Sequence, residues 1–388
     1  MEELGLVKKI CIVVGSRANY SSIKSVMQAV KDHPDLELQL VVGASAILDK
    51  YGAVVDLIVK DGFNPLAKVN ILLEGDTPES MAKSAGLGII ELSTIFEQIK
   101  PDVVITVGDR FETISTTIAA AYMNIVLGHT MGGEVTGTID ESIRHAVTKF
   151  AHIHFAATEG ARERIIKMGE EIENVHWTGC PRIDLVAEIL RDETLDPALF
   201  VGTPGATIDL SQPFIIMSQH PVTTEYGKGE KQVAETLHAI RGSKVQAVVL
   251  WPNSDAGSDD VSRAIRKFRE GGFSERMHFV KNMPIKDYVL LMDKAACLVG
   301  NSSSGIREGA FIGVPVVNIG SRQAGREASK NVVNCECSRK EILEAILYSF
   351  EQGKYPSDHL YGDGTAGKKI ADILATTNIK TTQKRITY

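Results

Sequence analysis

Short apolar runs rich in β-branched residues alternate along the chain with longer segments whose apolar residues recur every three or four positions. "KKICIVVG" leads into "SSIKSVMQAVKDH", and "LELQLVVG", "PDVVITVG" and "NIVLGH" follow, each closed by Gly or a polar turn. In the second half "PFIIMSQH", "VQAVVLWP", "MHFVKN", "ACLVGN" and "VPVVNIG" repeat the scheme. A strand that is apolar on both sides must be covered on both sides, so these runs predict parallel sheets sandwiched by helices. Two sets predict an α/β chain of two Rossmann-like, doubly wound domains, divided near Trp177–Asp184. The expected boundaries are 1–178 and 179–365, with a C-terminal helix over 366–388 rejoining the first domain.

In such sheets ligands bind at the carboxyl ends of the strands. There the chain carries "GSRANYS" (15–21), "GDRFE" (108–112), "GHTMGGE" (128–134), "QHPVTTE" (219–225), "PNSDAGS" (252–258) and "GNSSSGIREG" (300–309). The first half presents acids; the second presents hydroxyls, Gly and His. That division suggests a reacting group held by the first domain and a phosphate-bearing handle held by the second.

The densest cluster of titratable groups is "GGEVTGTIDESIRHAVTKFAHIHF", residues 132–155. Thr138 and Glu141 stand in capping-box spacing, which predicts a helix running to about Phe150. Ile139, Ile143, Ala146, Val147 and Phe150 fall on the face expected to meet the core, and Asp140, Arg144 and Thr148 on another. Glu141 then has a capping task, and Asp140 sits where the helix dipole favours a carboxylate. Glu134 lies outside the helix, in a Gly-rich loop after a strand, where two glycines could swing its side chain into a crevice. Asp109 follows a buried strand and a Gly, the placement that aims a side chain at a ligand. His152 and His154 alternate as strand residues do, and H-x-H lacks the further ligand a metal site needs.

"GNSSSGIREG" follows one strand and opens a helix. Backbone N–H groups at a helix start bind phosphate, and serine hydroxyls add donors. The segment is neither a Walker A loop nor G-x-G-x-x-G. His220 and Arg17, both at strand ends, could add phosphate contacts, and together they argue for a diphosphate.

Composition narrows the class. The 388 residues carry a net charge of −7, which leaves no electrostatic footprint for nucleic acid. Apolar runs fall short of the roughly 20 residues of a membrane span. "MEELGLVKKI" lacks the long apolar core of a signal peptide. The five cysteines include one C-x-C pair without a partner pair, which gives no zinc spacing. A cytoplasmic protein with neither metal nor cofactor is expected, assembling as a homodimer or homotetramer.

The quoted motifs, spread from about Lys8 to about Gly367, resemble the hydrolysing UDP-N-acetylglucosamine 2-epimerases of sialic-acid-type sugar pathways. The resemblance implies a GT-B-like fold, two Rossmann-like domains facing across a cleft. It implies conversion of UDP-GlcNAc and water to ManNAc and UDP, through loss of UDP to a glycal and hydration of that glycal. Proton transfers of this kind need positioned carboxylates or histidine, for which Asp109, Glu134, Asp140 and His145 are the candidates. By resemblance, Asp109 and Asp140 match the family's catalytic acids. Arg17, Ser21, Arg110, His220, Asn253, Ser302, Ser303, Glu308 and Arg322 match its nucleotide-contacting positions, with Gly305 beside the diphosphate serines. Glu308 would accept from the ribose hydroxyls, and Lys281, Asn282 and Met283 would frame the uracil. Relatives often read His-x-Glu-Gly-Gly-Glu, whereas Met131 stands here in place of the first Glu. A related reaction acts on UDP-2,4-diacetamido-2,4,6-trideoxyglucose. A GT-B glycosyltransferase or a non-catalytic UDP-sugar sensor would share the fold.

Overall fold

The computed structural model describes residues 7–49, 52–73, 78–135, 139–200, 205–222, 225, 227–252, 257–281, 283–379 and 382–387. The first unit comprises Met1–Glu134, Ile139–Leu185 and Gly362–Tyr388; the second comprises Val135–Thr138 and Val186–Tyr361.

The first sheet contains β1 (Lys8–Val14), β2 (Leu36–Gly43), β3 (Ala67–Val69), β4 (Val103–Val107), β5 (Val126–Thr130), β6 (Ile153–Ala156) and β7 (Val175–Trp177). Its order is β3-β2-β1-β4-β5-β6-β7, and every pair is parallel. The second contains β8 (Phe214–Ser218), β9 (Gln246–Leu250), β10 (Met277–Val280), β11 (Cys297–Gly300), β12 (Val316–Ile319) and β13 (Val332–Cys335). Its order is β10-β9-β8-β11-β12-β13, again parallel throughout. Each sheet is therefore doubly wound, and its order reverses between β1 and β4 or between β8 and β11, where ligands bind in such folds. All residues of β4, β6, β8, β11 and β12 are buried, which is why their sequences run apolar without alternation. Among the described residues, no helix is long and apolar enough to cross a membrane.

The chain returns to the first unit through helix α13 (Ala366–Thr376), which packs on α1 (Arg17–Asp32). Opposite charges meet the two ends of α13, as its dipole favours. Asp184 accepts the N–H groups of Ala366 and Gly367 at 3.0 and 2.6 Å, while Lys8 Nζ donates to the carbonyls of Leu374 and Thr377 at 2.6 and 2.8 Å. Gly367 is needed here: a Cβ would lie 2.6 Å from the Ser25 carbonyl oxygen.

Four imidazoles are built into the first unit as neutral groups. His129, His152, His154 and His176 are all lowered from the usual histidine range, in each case first by burial, and His129 is pushed down to about 3. The unfolded chain takes up these protons as pH falls through about 6.5, whereas the folded unit takes them up only at lower pH, so the stability they contribute is present above that pH and lost progressively below it. Calorimetry should show the melting temperature falling steadily from about pH 7 to about pH 5; a flat profile over that window contradicts the assignment.

Candidate active site

At the first switch point the loops after β1 and β4 are joined by Asn19. Its Oδ1 accepts the Gly15 N–H at 3.2 Å, its Nδ2 donates to the Val107 carbonyl at 3.3 Å, and its own N–H caps onto Ser16 Oγ at 3.2 Å. Gly15 is small because Glu112 lies directly against it; a Cβ would come within 2.5 Å of Glu112 Cγ. Glu112 is buried and holds Arg110 Nε at 3.4 Å, so this arginine leaves β4 with its direction set. Arg17 is exposed and lies over Gly52. Ser21 is buried and donates to the Arg17 carbonyl at 3.0 Å, a bond internal to α1.

Two strand-end loops meet at Arg144, a guanidinium only 1% exposed, on α5 (Ile139–Phe150). Nη2 bonds the Asp109 carboxylate, and Nη1 donates to the backbone carbonyl of Glu134 at 2.8 Å. Arg144 thus ties the end of β4 to the loop after β5. Arg164, from α6 (Glu159–Lys167), bonds the neighbouring carbonyl of Gly133. The Gly-Gly pair is therefore no hinge. A Cβ at Gly133, which has φ +73°, would meet the Ala161 carbonyl oxygen at 2.3 Å, and one at Gly132 would meet His129 Nδ1 at 2.9 Å. The glycines allow close packing of a clamped loop, and the Glu134 side chain is buried within it.

His129 supports the same cluster from beneath. Its Nε2 lies 3.0 Å from the Gly108 carbonyl and its Nδ1 3.3 Å from Thr148 Oγ1. A carbonyl can only accept, so Nε2 carries a proton, and burial keeps the ring neutral. Met131 is buried in a left-handed conformation, φ +60°, with Cys180 Sγ donating to its sulfur at 3.7 Å. Its methyl group lies 3.9 Å from where a Gly108 Cβ would be, beside the root of Asp109.

Helix α5 differs from its sequence pattern in one respect. Arg144 and Thr148, placed on the polar face, are buried together with Val147, while Phe150 is 40% exposed. The polar face turns inward because Arg144 has partners from two strand-end loops to satisfy it. Asp140 stands one turn before Arg144 on that face and is partly buried. His145 lies beside Glu141, Nε2 to Oε1 3.4 Å. Thr138, the expected cap, lies outside the described residues.

In the second unit Asn301 does what Asn19 does in the first. Its Oδ1 accepts the His220 N–H at 2.8 Å and its Nδ2 donates to the His220 carbonyl at 2.9 Å, locking the loops after β8 and β11 together. Arg322 Nη1 and Gln323 Nε2 donate to the Asn301 carbonyl at 3.1 and 2.9 Å, drawing the turn after β12 to the same point. Gly300, with φ +141°, admits the approach; a Cβ would lie 2.1 Å from the Ser218 carbonyl oxygen. Ser302 is the N-cap of α11 (Ser303–Ile312), accepting from Ser304 N, and Ser304 Oγ meets Tyr288 Oη at 2.7 Å. Gly305 faces the sheet, where a Cβ would crowd Val316 and Leu298 at 2.9 and 3.0 Å, so its task is helix–sheet packing. Glu308 is buried one turn further along. Lys281 Nζ sits 5.6 Å from the Trp251 ring centroid, and Met283 is half-buried. Asn253 and Asn282 lie outside the described residues.

The structure thus gathers Asp109, Glu134 and Arg144 in one unit, and His220, Ser302 and Arg322 around Asn301 in the other. A model of the family described as UDP-N-acetylglucosamine 2-epimerase matches residues 28–375. The chain belongs to that family. This epimerase is 31% identical over 371 residues, 96% of each chain, to a UDP-N,N'-diacetylbacillosamine 2-epimerase (hydrolyzing) of Legionella pneumophila. It is 29% identical over 371 residues, 95% of each chain, to a UDP-N-acetylglucosamine 2-epimerase of Neisseria meningitidis. The fold is GT-B-like. A crystal structure of the N. meningitidis UDP-GlcNAc 2-epimerase bound to UDP-GlcNAc superposes with a TM-score of 0.82 at 18% identity, covering 95% of this epimerase and all of that chain.

Sequence reasoning passed over Asn19, Asn301, Glu112 and His129 as site builders. One signal was available: in both halves the same strand-Gly-polar loop carries an Asn.

Arg144→Met removes a buried cation from an anionic partner and should destabilise the first unit by about 3 kcal/mol, the usual scale for breaking a buried pair. Arg144→Lys should recover only part of this, since an ammonium cannot reproduce the guanidinium fork. Urea titration decides; a loss of less than about 1 kcal/mol in Arg144→Met excludes the clamp.

Proposed function

We propose that this epimerase is of the hydrolysing type, converting UDP-GlcNAc and water to ManNAc and UDP. The observation that carries the proposal is the buried Arg144 at the carboxyl ends of β4 and β5, which holds the Asp109 carboxylate and the backbone of the loop that buries Glu134, an arrangement that a UDP-binding module alone would not need. In the first half-reaction the C1–O bond to UDP breaks and a base removes the C2 proton, leaving the glycal. In the second, water adds its oxygen to C1 and a proton returns to C2 on the opposite face. Asp109, Glu134, Asp140 and His145 are the groups offered for these transfers, since each step needs a positioned acid or base. Ser302, Ser303, His220 and Arg322 would receive the diphosphate at the start of α11, where backbone N–H groups and the dipole favour an anion. Glu308 would hold the ribose, and Lys281 with Met283 would border the uracil.

A second substrate is favoured by one observation. Met131 is buried with its methyl group against Gly108, the residue before Asp109, and a thioether moves no protons. Such an apolar wall suits the 6-deoxy sugar UDP-2,4-diacetamido-2,4,6-trideoxyglucose, in keeping with the name of the Legionella relative.

Each nucleotide sugar should be incubated with the protein without an acceptor and the products resolved by NMR. Free ManNAc, or the free diacetamido-trideoxymannose, with equimolar UDP is the expected result. Asp109→Asn and Asp140→Asn should abolish it while leaving UDP affinity unchanged, whereas Ser302→Ala should weaken UDP binding. UDP-ManNAc formed without UDP release would exclude the hydrolysing reaction.

A further inference from the structure

The C-terminal residues 382–387 lie on the first unit at the far end of α5 from Asp140, and they do so through specific bonds. Lys384 Nζ donates to the carbonyls of Thr148 and Lys149 at 3.3 and 3.0 Å, and also to that of Ala151. These are the last carbonyls of α5 and its exit, groups that a helix leaves without internal partners. A cation placed there also opposes the negative end of the helix dipole. The same ammonium bonds Glu170 Oε2, whose other oxygen takes Lys149 Nζ at 2.6 Å. Burial alone would raise the Glu170 carboxyl, but bonds from His154, Lys149 and Lys384 hold it down to about 2.

Two further anchors fix the segment. The Leu127 N–H donates to His152 Nδ1 at 3.0 Å, which leaves the proton on Nε2, and Nε2 donates to the Thr382 carbonyl at 3.0 Å. The Thr387 N–H donates to the Gly169 carbonyl at 3.2 Å, and Ile386 packs so closely on Gly169 that a Cβ there would meet it at 2.7 Å.

From the capped end a continuous path of contacts leads to Asp109. Thr148, whose carbonyl Lys384 holds, has its hydroxyl 3.0 Å from the Arg144 carbonyl and 3.3 Å from His129 Nδ1. His129 holds Gly108, the residue before Asp109, and Arg144 holds Asp109 itself.

We infer that Lys384 is a positioning residue for the acid cluster: the C-terminal segment caps α5 and fixes the helix so that Arg144 and His129 present Asp109. This rests on the proposed function only where turnover is concerned; the structural coupling stands apart from it. Lys384 touches no reacting atom, so its effect must travel through α5.

The test uses the full-length chain with Lys384→Met, the milder Lys384→Gln, and Lys384→Arg, which keeps the charge and its donors. Hydrogen exchange followed by mass spectrometry should show faster exchange in Lys384→Met over 139–151 and over the 108–110 turn, with the second unit unchanged. Lys384→Gln should give an intermediate pattern, and Lys384→Arg should restore protection. If Lys384→Met does not fold, the same comparison is made between Lys384→Gln and wild type. Turnover of the UDP-sugar should fall roughly three- to thirtyfold in kcat with KM held, the span expected for coupling through a packed network. Faster exchange confined to 382–387, or an exchange change without restoration by Lys384→Arg, overturns the inference. A wild-type chain inert toward both UDP-sugars overturns the proposed function and leaves the exchange comparison to decide this one. Normal kcat alongside loosened α5 overturns the positioning role.

Discussion

One buried guanidinium, that of Arg144, holds two strand-end loops of the first unit in place. Arg144 is almost without solvent, and bonds from it run to two different strand-end loops, to the Asp109 carboxylate and to the Glu134 carbonyl. A cation that has lost its water must find such partners or the fold is heavily destabilised. The same requirement that buries Arg144 therefore fixes where Asp109 stands and how the 131–135 loop turns. Arg164 on Gly133 and His129 on Gly108 extend the arrangement to the two flanking residues. Under the proposed function, a carboxylate presented by such a frame is held in place before the substrate arrives, and preorganised charge is the form in which electrostatics serves a reaction.

The two units solve the same geometric problem in the same way. A doubly wound sheet opens a crevice where its order reverses, but the two loops bordering that crevice have no ladder to hold them. Asn19 and Asn301 supply the missing bonds: Asn19 braces its own loop through Oδ1 and reaches across to Val107 through Nδ2, and Asn301 turns both ends of its carboxamide to His220. Beyond that the units diverge. The first fills its loops with acids and a neutral imidazole; the second leads into α11 with serines and draws Arg322 and Gln323 to the same carbonyl. A division between proton transfer and phosphate binding is the chemical sense of that difference under the proposed function.

Strands buried on both faces write themselves into a sequence as uninterrupted apolar runs, so the parallel sheets and the loops at their ends were legible before any coordinates. Asp109, Glu134, His220 and Ser302 were singled out at those strand ends, and Arg322 by the family resemblance. The interior of the site was not legible. Arg144 finds its partners 35 and 10 residues away, and no local spacing reports them. Its burial turns the enclosed face of α5 to take in Arg144 and Thr148 beside Val147, leaving Phe150 exposed. Gly132 and Gly133 looked like freedom of the backbone, yet they mark tight contact with His129 and α6, a distinction that depends on what packs against them. The C-terminal lysine that caps α5 lies more than 230 residues beyond the carbonyls it holds, and a charge in a polar tail carries no sign of that in its neighbours.

The central claim is that the first unit's acids remove and return the C2 proton of a UDP-sugar. It is tested most directly by running the reaction in deuterium oxide and reading the free sugar by NMR. The account predicts one deuterium at C2 of every product molecule, with inverted configuration there, appearing in step with UDP. Product that retains the substrate's own hydrogen at C2 would contradict it, because no base would then have exchanged that proton with solvent.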